Sequence, residues 1–236
     1  MDQPRATQPP TETAVVVGAS GGIGAAVASR LKVSNRYAVV HEWSRSGTGF
    51  DLEDEASIAR AAAGLGESSP TLVFVATGVL HHGFDPERSY RAMTAEHLLR
   101  DYRINTVGPA LVAKHLLPVM PRDRRAVFAV LSARVGSISD NRLGGWHSYR
   151  ASKAALNMLL RNLAVELART HPQAVVAGLH PGTVDSALSA PFQPGVKPDK
   201  LFTPDHSAER LLAVLDGLTV GDSGNVFGWD GQRIPV

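Results

Sequence analysis

Six short apolar runs recur along the chain: TAVVV (13–17), YAVVHEW (37–43), TLVFVA (71–76), AVFAVL (126–131), AVVAGL (174–179) and NVF (225–227). Each is separated from the next by a segment long enough for a helix. A strand buried on both faces reads as such an unbroken β-branched run, and parallel neighbours need a crossover of a dozen or more residues. The pattern predicts an α/β, single-domain, doubly wound parallel sheet with helices on both faces. The helices are expected at about 22–32, 53–63, 94–119, 148–170 and 205–217. Within 94–119, Gly108-Pro109 predicts a break or kink, because an interior proline removes a hydrogen bond and clashes with the turn before it. Residues 186–204, rich in Pro, Ser and Lys, read as a long loop of the lid or binding kind. Residues 1–12 read as a disordered tail and 13–236 as one domain.

Composition narrows the function. The 236 residues include no cysteine, which excludes a disulfide framework, a thiolate nucleophile and thiolate zinc. A net charge of +2 offers little attraction to phosphate backbones or anionic lipid, so nucleic acid and membrane are not expected partners. No apolar stretch approaches the roughly 18 residues of a membrane span, and the N-terminus lacks a signal-peptide pattern. The expectation is a soluble, cytoplasmic protein. None of the 9 histidines has metal-site spacing, so no metal is expected.

The first run ends in Gly18-Ala-Ser20-Gly-Gly22-Ile23-Gly24 and passes at once into the helical AAVASRL. Glycines there let backbone approach a pyrophosphate, and the free N–H groups at the helix start favour its charge. A glycine-rich turn alone is weak evidence, but this one has the strand before it and the helix after it. A Rossmann-type nucleotide site is the functional reading, and a merely tight βα turn the structural one.

Tyr149 and Lys153 stand in Tyr-Arg-Ala-Ser-Lys at the start of the 148–170 helix. Residues four apart share one helix face, so phenol and ammonium reach one pocket. A nearby cation stabilises phenolate, lowering the phenol pKa and making Tyr149 a proton shuttle. A partly buried tyrosine beside a snorkelling lysine is the structural alternative.

Together, the G-x-x-x-G-x-G turn and this pair resemble the short-chain dehydrogenase/reductase family, over almost the whole ordered chain. The resemblance implies an NAD(P)-dependent oxidoreductase acting on a small-molecule carbonyl or alcohol, commonly a homo-dimer or homo-tetramer. It implies nucleotide contacts from Gly18, Ser20, Gly22, Ile23 and Gly24. Asn105 is similar to the family's catalytic asparagine, which supports a water-linked proton path to the lysine. Ala76-Thr-Gly78 occupies the place of an Asn-Ala-Gly segment. His180-Pro181-Gly182-Thr-Val184 resembles the segment beside the nicotinamide. Arg-Val-Gly-Ser-Ile and the ending Phe-Gly-Trp-Asp-Gly are similar to the C-factor and sniffer-like carbonyl reductases. In the family, the loop holding His81 and His82 lines the substrate side, whereas adjacent loop histidines are ordinarily surface groups.

One departure stands out. The family usually has a serine, often the second of a Ser-Ser pair, that donates to the substrate carbonyl; here the pair reads Ser132-Ala133. Ser132 is the preferred substitute, with Ser137, Ser139 or an unaided Tyr149 as alternatives. A hydroxyl bonded to backbone at the strand end is the structural reading of Ser132.

The cofactor is discriminated after the second run, at Glu42-Trp43-Ser44-Arg45. An acid there accepts from a free ribose hydroxyl, and an arginine pairs with a 2′-phosphate. Ser44 with Arg45 predicts NADPH; a register slip placing Glu42 there would predict NADH. Asp51-Leu52 resembles the family's adenine contact, while Asp51 also precedes a helical run where an N-cap is expected. Two other functions remain open: a dinucleotide-binding regulatory or signalling protein, favoured by Ala133, and an epimerase or dehydratase of the extended branch, which usually carries a further substrate domain.

Overall fold

The computed structural model describes residues 11–81 and 83–236. The first strand, β1 (Glu12–Val17), runs into α1 (Gly22–Val33), β2 (Tyr37–Trp43), a single turn α2 (Arg45–Thr48), α3 (Glu55–Ala63) and β3 (Leu72–Val75). After a long connection come α4 (Ala95–Tyr102), a π-helical turn (Arg103–Val107), α5 (Gly108–Leu116) and β4 (Ala126–Leu131). The remaining elements are α6 (His147–Leu167), β5 (Ala174–His180), β6 (Thr183–Val184), β7 (Leu201–Phe202), α7 (Pro204–Gly217), β8 (Asn225–Gly228) and β9 (Arg233–Ile234). All six expected strands are present. The tail expected over 1–12 lies mostly outside the described residues, and its last member, Glu12, already belongs to β1.

The main sheet has the order β2-β1-β3-β4-β5-β8-β9, parallel except for the β8–β9 pair. Within each buried run, alternate residues serve opposite faces. Val15, Val17, Val73, Val75, Phe128 and Val130 pack under α3, α5 and α6, against Ile58, Leu116, Leu156 and Leu160. Ala14, Val16, Leu72, Phe74, Val127 and Ala129 pack under α1 and α7, against Val27, Leu31, Leu211 and Leu215. A strand with helices on both sides has no solvent face, which is why these runs show no polar alternation.

The chain steps outward from β1 to β2 and then returns to the other side of β1 to place β3. The two crossovers therefore diverge, leaving a crevice at the carboxyl ends of β1 and β3 where such sheets bind ligands.

Gly108-Pro109 does not break its helix. Pro109 cannot supply the N–H that the Asn105 carbonyl would normally accept, and the Gly108 N–H reaches back five residues to Arg103 O. The expected kink is thus absorbed as a π turn around Asn105. The 186–204 segment carries short 3₁₀ turns (Ala190–Gly195, Pro198–Lys200) and is closed at its base by the parallel β6–β7 pair. Among the described residues, no helix is long and apolar enough to cross a membrane.

Candidate active site

A cleft of about 570 Å³ opens at the crevice between β1 and β3. Its walls come from the ends of three adjacent strands: Gly18 and Ser20 after β1, Ser44 and Arg45 after β2, and Ala76 and Gly78 after β3, with Asp51 and Leu52 beside them. Eight of the residues named from sequence therefore share one cavity.

The glycine turn owes its shape to close approach. Gly18 has φ +85°, and a Cβ there would meet Thr77 Cγ2 at 3.0 Å and the Ala76 carbonyl at 3.2 Å. Gly24 does not line the cleft; its Cβ would lie 2.2 Å from Gly18 O, so this glycine lets α1 pack on the turn. Gly22 and Ile23 open α1 beside it, and α1 has neither a side-chain N-cap bond nor an acid in its first turn. Its positive end is left for an incoming anion.

Past β2, Ser44 caps the α2 turn by accepting from Gly47 N at 3.1 Å, and Arg45 borders the cleft. Among the described residues Arg45 makes no ion pair. Glu42 is turned away and pairs with Lys32 on α1. Asp51 is not the expected N-cap: α3 begins at Glu55, and Asp54 accepts from Ala56 N at 2.9 Å. Asp51 instead accepts from Glu53 N at 3.0 Å while its own N–H donates to Ser57 Oγ at 2.9 Å. The Leu-Glu-Asp-Glu-Ala run is helical three residues later than its composition implies.

Behind Gly78 lie the catalytic candidates. Asn105 is fully buried, and its amide clamps Val79 by accepting from the N–H at 2.8 Å and donating to the carbonyl at 3.0 Å. Asn105 Nδ2 also donates to Ser152 Oγ at 3.1 Å, and Thr106 Oγ1 donates to Ser152 O at 2.7 Å, tying the π turn to α6. Lys153 Nζ donates to Leu131 O at 2.8 Å, and a Cβ on Gly78 would sit 3.5 Å from it. The ammonium thus reaches the cleft wall from inside. Burial lowers its pKa to about 8, with the charge of Asp101 opposing.

Tyr149 shares that helix face, with Lys153 Nζ 5.9 Å from its ring centroid. The expected lowering of the phenol pKa is not found. Burial, with the Asp101 charge adding to it, pushes the phenol above its ordinary range. Desolvation sets the direction, and the Lys153 ammonium bonds a strand carbonyl rather than the phenol.

Ser132 does not face this tyrosine through a free hydroxyl. Its Oγ donates to Asn157 Oδ1 at 2.6 Å, a side-chain partner one turn beyond Lys153 rather than the expected backbone group. Ser137 Oγ accepts from Asp140 N at 3.0 Å, and Ser139 Oγ donates to Val236 O at 3.3 Å. The place beside the phenol belongs to Ala133, packed with Leu80 and Tyr149 and flanked by Val135, Trp146, Leu188 and Phe192.

Pro181, Gly182 and Val184 lie at the carboxyl end of β5, outside the cleft lining. The Pro181 carbonyl accepts from Ser207 Oγ at 3.1 Å, Gly182 has φ +78° under Phe202, and Val184 is buried in β6. His81 borders the cleft and meets Ala187 O through Nε2 at 3.0 Å; His82 lies outside the described residues. Sequence reasoning missed Gly21, Thr77, Arg100, Ile104 and Leu188 in the lining. Ile104 was within reach, being adjacent to Asn105, and Arg100 lies one helical turn before it.

The chain belongs to the short-chain dehydrogenase family, whose model matches residues 12–197. It is thereby an oxidoreductase with the Rossmann-type fold of that family. It is 34% identical over 139 residues to C-signal of Myxococcus xanthus, covering 58% of this chain and 78% of that one. It is 32% identical over 185 residues to 1-hydroxy-2-glutathionyl-2-methyl-3-butene dehydrogenase of Rhodococcus sp. (strain AD45), covering 78% and 76%. Among solved structures, NADPH-bound carbonyl reductase from chicken fatty liver superposes with a TM-score of 0.80 at 27% identity, covering 96% of this chain and all of that one.

Proposed function

We propose that this protein is an NADPH-dependent carbonyl reductase, with Tyr149 as proton donor. The reading rests above all on one observation: on one face of α6, Lys153 reaches Gly78 and Tyr149 packs on Leu80, and both Gly78 and Leu80 line the cleft that also holds the glycine turn and Arg45.

The cleft fits a dinucleotide. A Cβ at Gly18 would fill the cradle, and α1 presents an uncapped positive end. Gly18, Ser20, Gly22 and Ile23 would hold the pyrophosphate, Arg45 and Ser44 a 2′-phosphate, and Asp51 and Leu52 the adenine. Pairing of Glu42 with Lys32 favours NADPH over NADH, as does the NADPH bound to the chicken enzyme. When bound, NADPH supplies the hydride.

The chain's own residues do the rest. Tyr149, kept protonated by its burial, is in the form needed to give a proton to a carbonyl oxygen. Lys153 holds positive charge beside Gly78, where it would stabilise the phenolate left behind and hold the ribose hydroxyls of a bound nucleotide. Asn105 fixes Val79 and α6, and its backbone carbonyl, to which Pro109 cannot donate, is the group we assign to holding water on the proton path. With Ala133 in place of a donor and Trp146, Leu188 and Phe192 nearby, the substrate side suits an uncharged, apolar aldehyde or ketone.

The test is oxidation of NADPH across a panel of apolar aldehydes and ketones, repeated with Tyr149→Phe. We expect that variant to keep NADPH binding and lose roughly a hundredfold or more in kcat. Near-normal turnover would refute the assignment, and tight NADPH binding without turnover on any carbonyl would favour a regulatory protein.

A further inference from the structure

Helix α6 starts without a cap of its own. Its N-cap residue is Trp146, which makes no side-chain capping bond and sits in the left-handed region at φ 49°. Gly144 and Gly145 before it have φ 64° and 65°, so three consecutive residues are left-handed, and Trp146 pays for that with a Cβ. Such backbone persists only where its surroundings over-determine it.

The missing cap comes from the connection between β3 and α4. The Glu87 carboxylate accepts from Ser148 N with both oxygens, each at 3.2 Å, and Ser148 Oγ also donates to it. The backbone carbonyl of Glu87 accepts from Trp146 N. One buried residue, 61 positions from Ser148, therefore pins the backbone on both sides of His147, immediately before Tyr149. A carboxylate at a helix N-terminus satisfies otherwise orphaned N–H groups and meets the positive end of the dipole.

Glu87 is itself held. His97 Nδ1 lies 3.3 Å from Glu87 Oε1, its Nε2 lies 3.7 Å from Asp101 Oδ2, and its ring stacks on Phe84 at 4.8 Å. Glu87, His97 and Asp101 are 3%, 4% and 2% exposed. Burial pushes the Glu87 carboxyl up, but the bonds from Ser148 and the nearby His97 bring it below its ordinary value.

We propose that Glu87 is a positioning residue for the reaction: by capping α6 from outside, it holds the Tyr149 phenol and the Trp146 wall of the substrate side in register with the cleft. The Trp146 indole meets Tyr149 edge-on at 6.3 Å and Phe192 at 5.0 Å, so movement of the first turn displaces both. This inference rests on the reading of Tyr149 as proton donor.

The test uses the full chain and a carbonyl substrate active with the wild type. Glu87→Ala, Glu87→Gln, Ser148→Ala, Glu87→Ala/Ser148→Ala and Tyr149→Phe are compared for kcat, KM, NADPH dissociation constant and melting temperature. We expect Glu87→Ala to lose roughly tenfold or more in kcat with NADPH affinity within about twofold of wild type, since displacement near 1 Å suffices to slow chemistry. Glu87→Gln, keeping one acceptor oxygen and the shape, should recover part of that loss, and adding Ser148→Ala to Glu87→Ala should cost little more. A kcat per folded molecule within about twofold of wild type in Glu87→Ala would overturn the proposal, as would an equal loss of NADPH affinity. If Glu87→Ala does not fold, Glu87→Gln decides by the same readouts. An inert Tyr149→Phe with normal Glu87 variants sinks this inference alone, whereas an active Tyr149→Phe sinks the reading beneath it.

Discussion

Lys153 sets stability against chemistry at a single side chain. Its pKa falls from 10.5 to about 8 because the charged form is buried. A base with a depressed folded pKa binds fewer protons folded than unfolded between those values, so its penalty is full below about pH 8 and is relieved as pH rises to 10.5. At neutral pH the cost is on the order of 3 kcal/mol. We expect Lys153→Met, without cofactor, to melt no lower than wild type at pH 7, with any advantage shrinking toward pH 10, while turnover is lost. Wild-type reduction should decline above about pH 8 as the ammonium deprotonates. Melting curves across pH check the first expectation and a pH–rate profile the second; a Lys153→Met variant less stable at pH 7 would show that its charge is compensated. The Tyr149–Lys153 pair was legible because a spacing of four residues dictates one helix face. The Ser132–Asn157 bond was not, since it joins a strand end to a helix 25 residues away.

At the scale of elements, the joint between β1 and α1 carries the sharpest steric constraint. A Cβ at Gly24 would meet Gly18 O at 2.2 Å and Gly18 C at 2.8 Å, both backbone and unable to swing aside. We expect Gly24→Ala to cost about 2–3 kcal/mol, a drop of about 5–10 °C in melting temperature, and to weaken NADPH binding by shifting the turn. An unchanged melting temperature would mean that α1 can slide on its strand. Strand positions were legible because both-face burial leaves unbroken apolar runs. Helix starts were less so: Asp51 and Asp54 are chemically equal caps, and contact with Ser57 and α3 decides between them. The π turn needed the tertiary bonds of Asn105 and Thr106 to Ser152 as well as Pro109.

For the molecule as a whole, the cleft joins residues following β1, β2 and β3 with the 186–204 segment, so a ligand bound there adds contacts between all four. A cofactor that binds only the folded state at a hundred times its dissociation constant adds about 2.7 kcal/mol, a rise of about 5–10 °C. We expect NADPH to produce that rise at lower concentration than NADH, and Arg45→Ala to erase the difference by removing a charged hydrogen bond of about 1.5–3 kcal/mol. Equal shifts with both nucleotides in the wild type would refute discrimination by Arg45, and a larger shift with NADH would return that role to Glu42.

The strand and helix order, the glycine turn and the phenol–ammonium pair were determined by sequence alone, because each is a short-range pattern whose spacing the backbone period converts directly into geometry. Tertiary structure decided the rest: that Glu42 turns to Lys32 while Arg45 borders the cleft, that Ser132 spends its hydroxyl on Asn157, and that Glu87 caps the helix of Tyr149. Those contacts join residues distant in the chain, and sheet order and packing, rather than local spacing, bring them together.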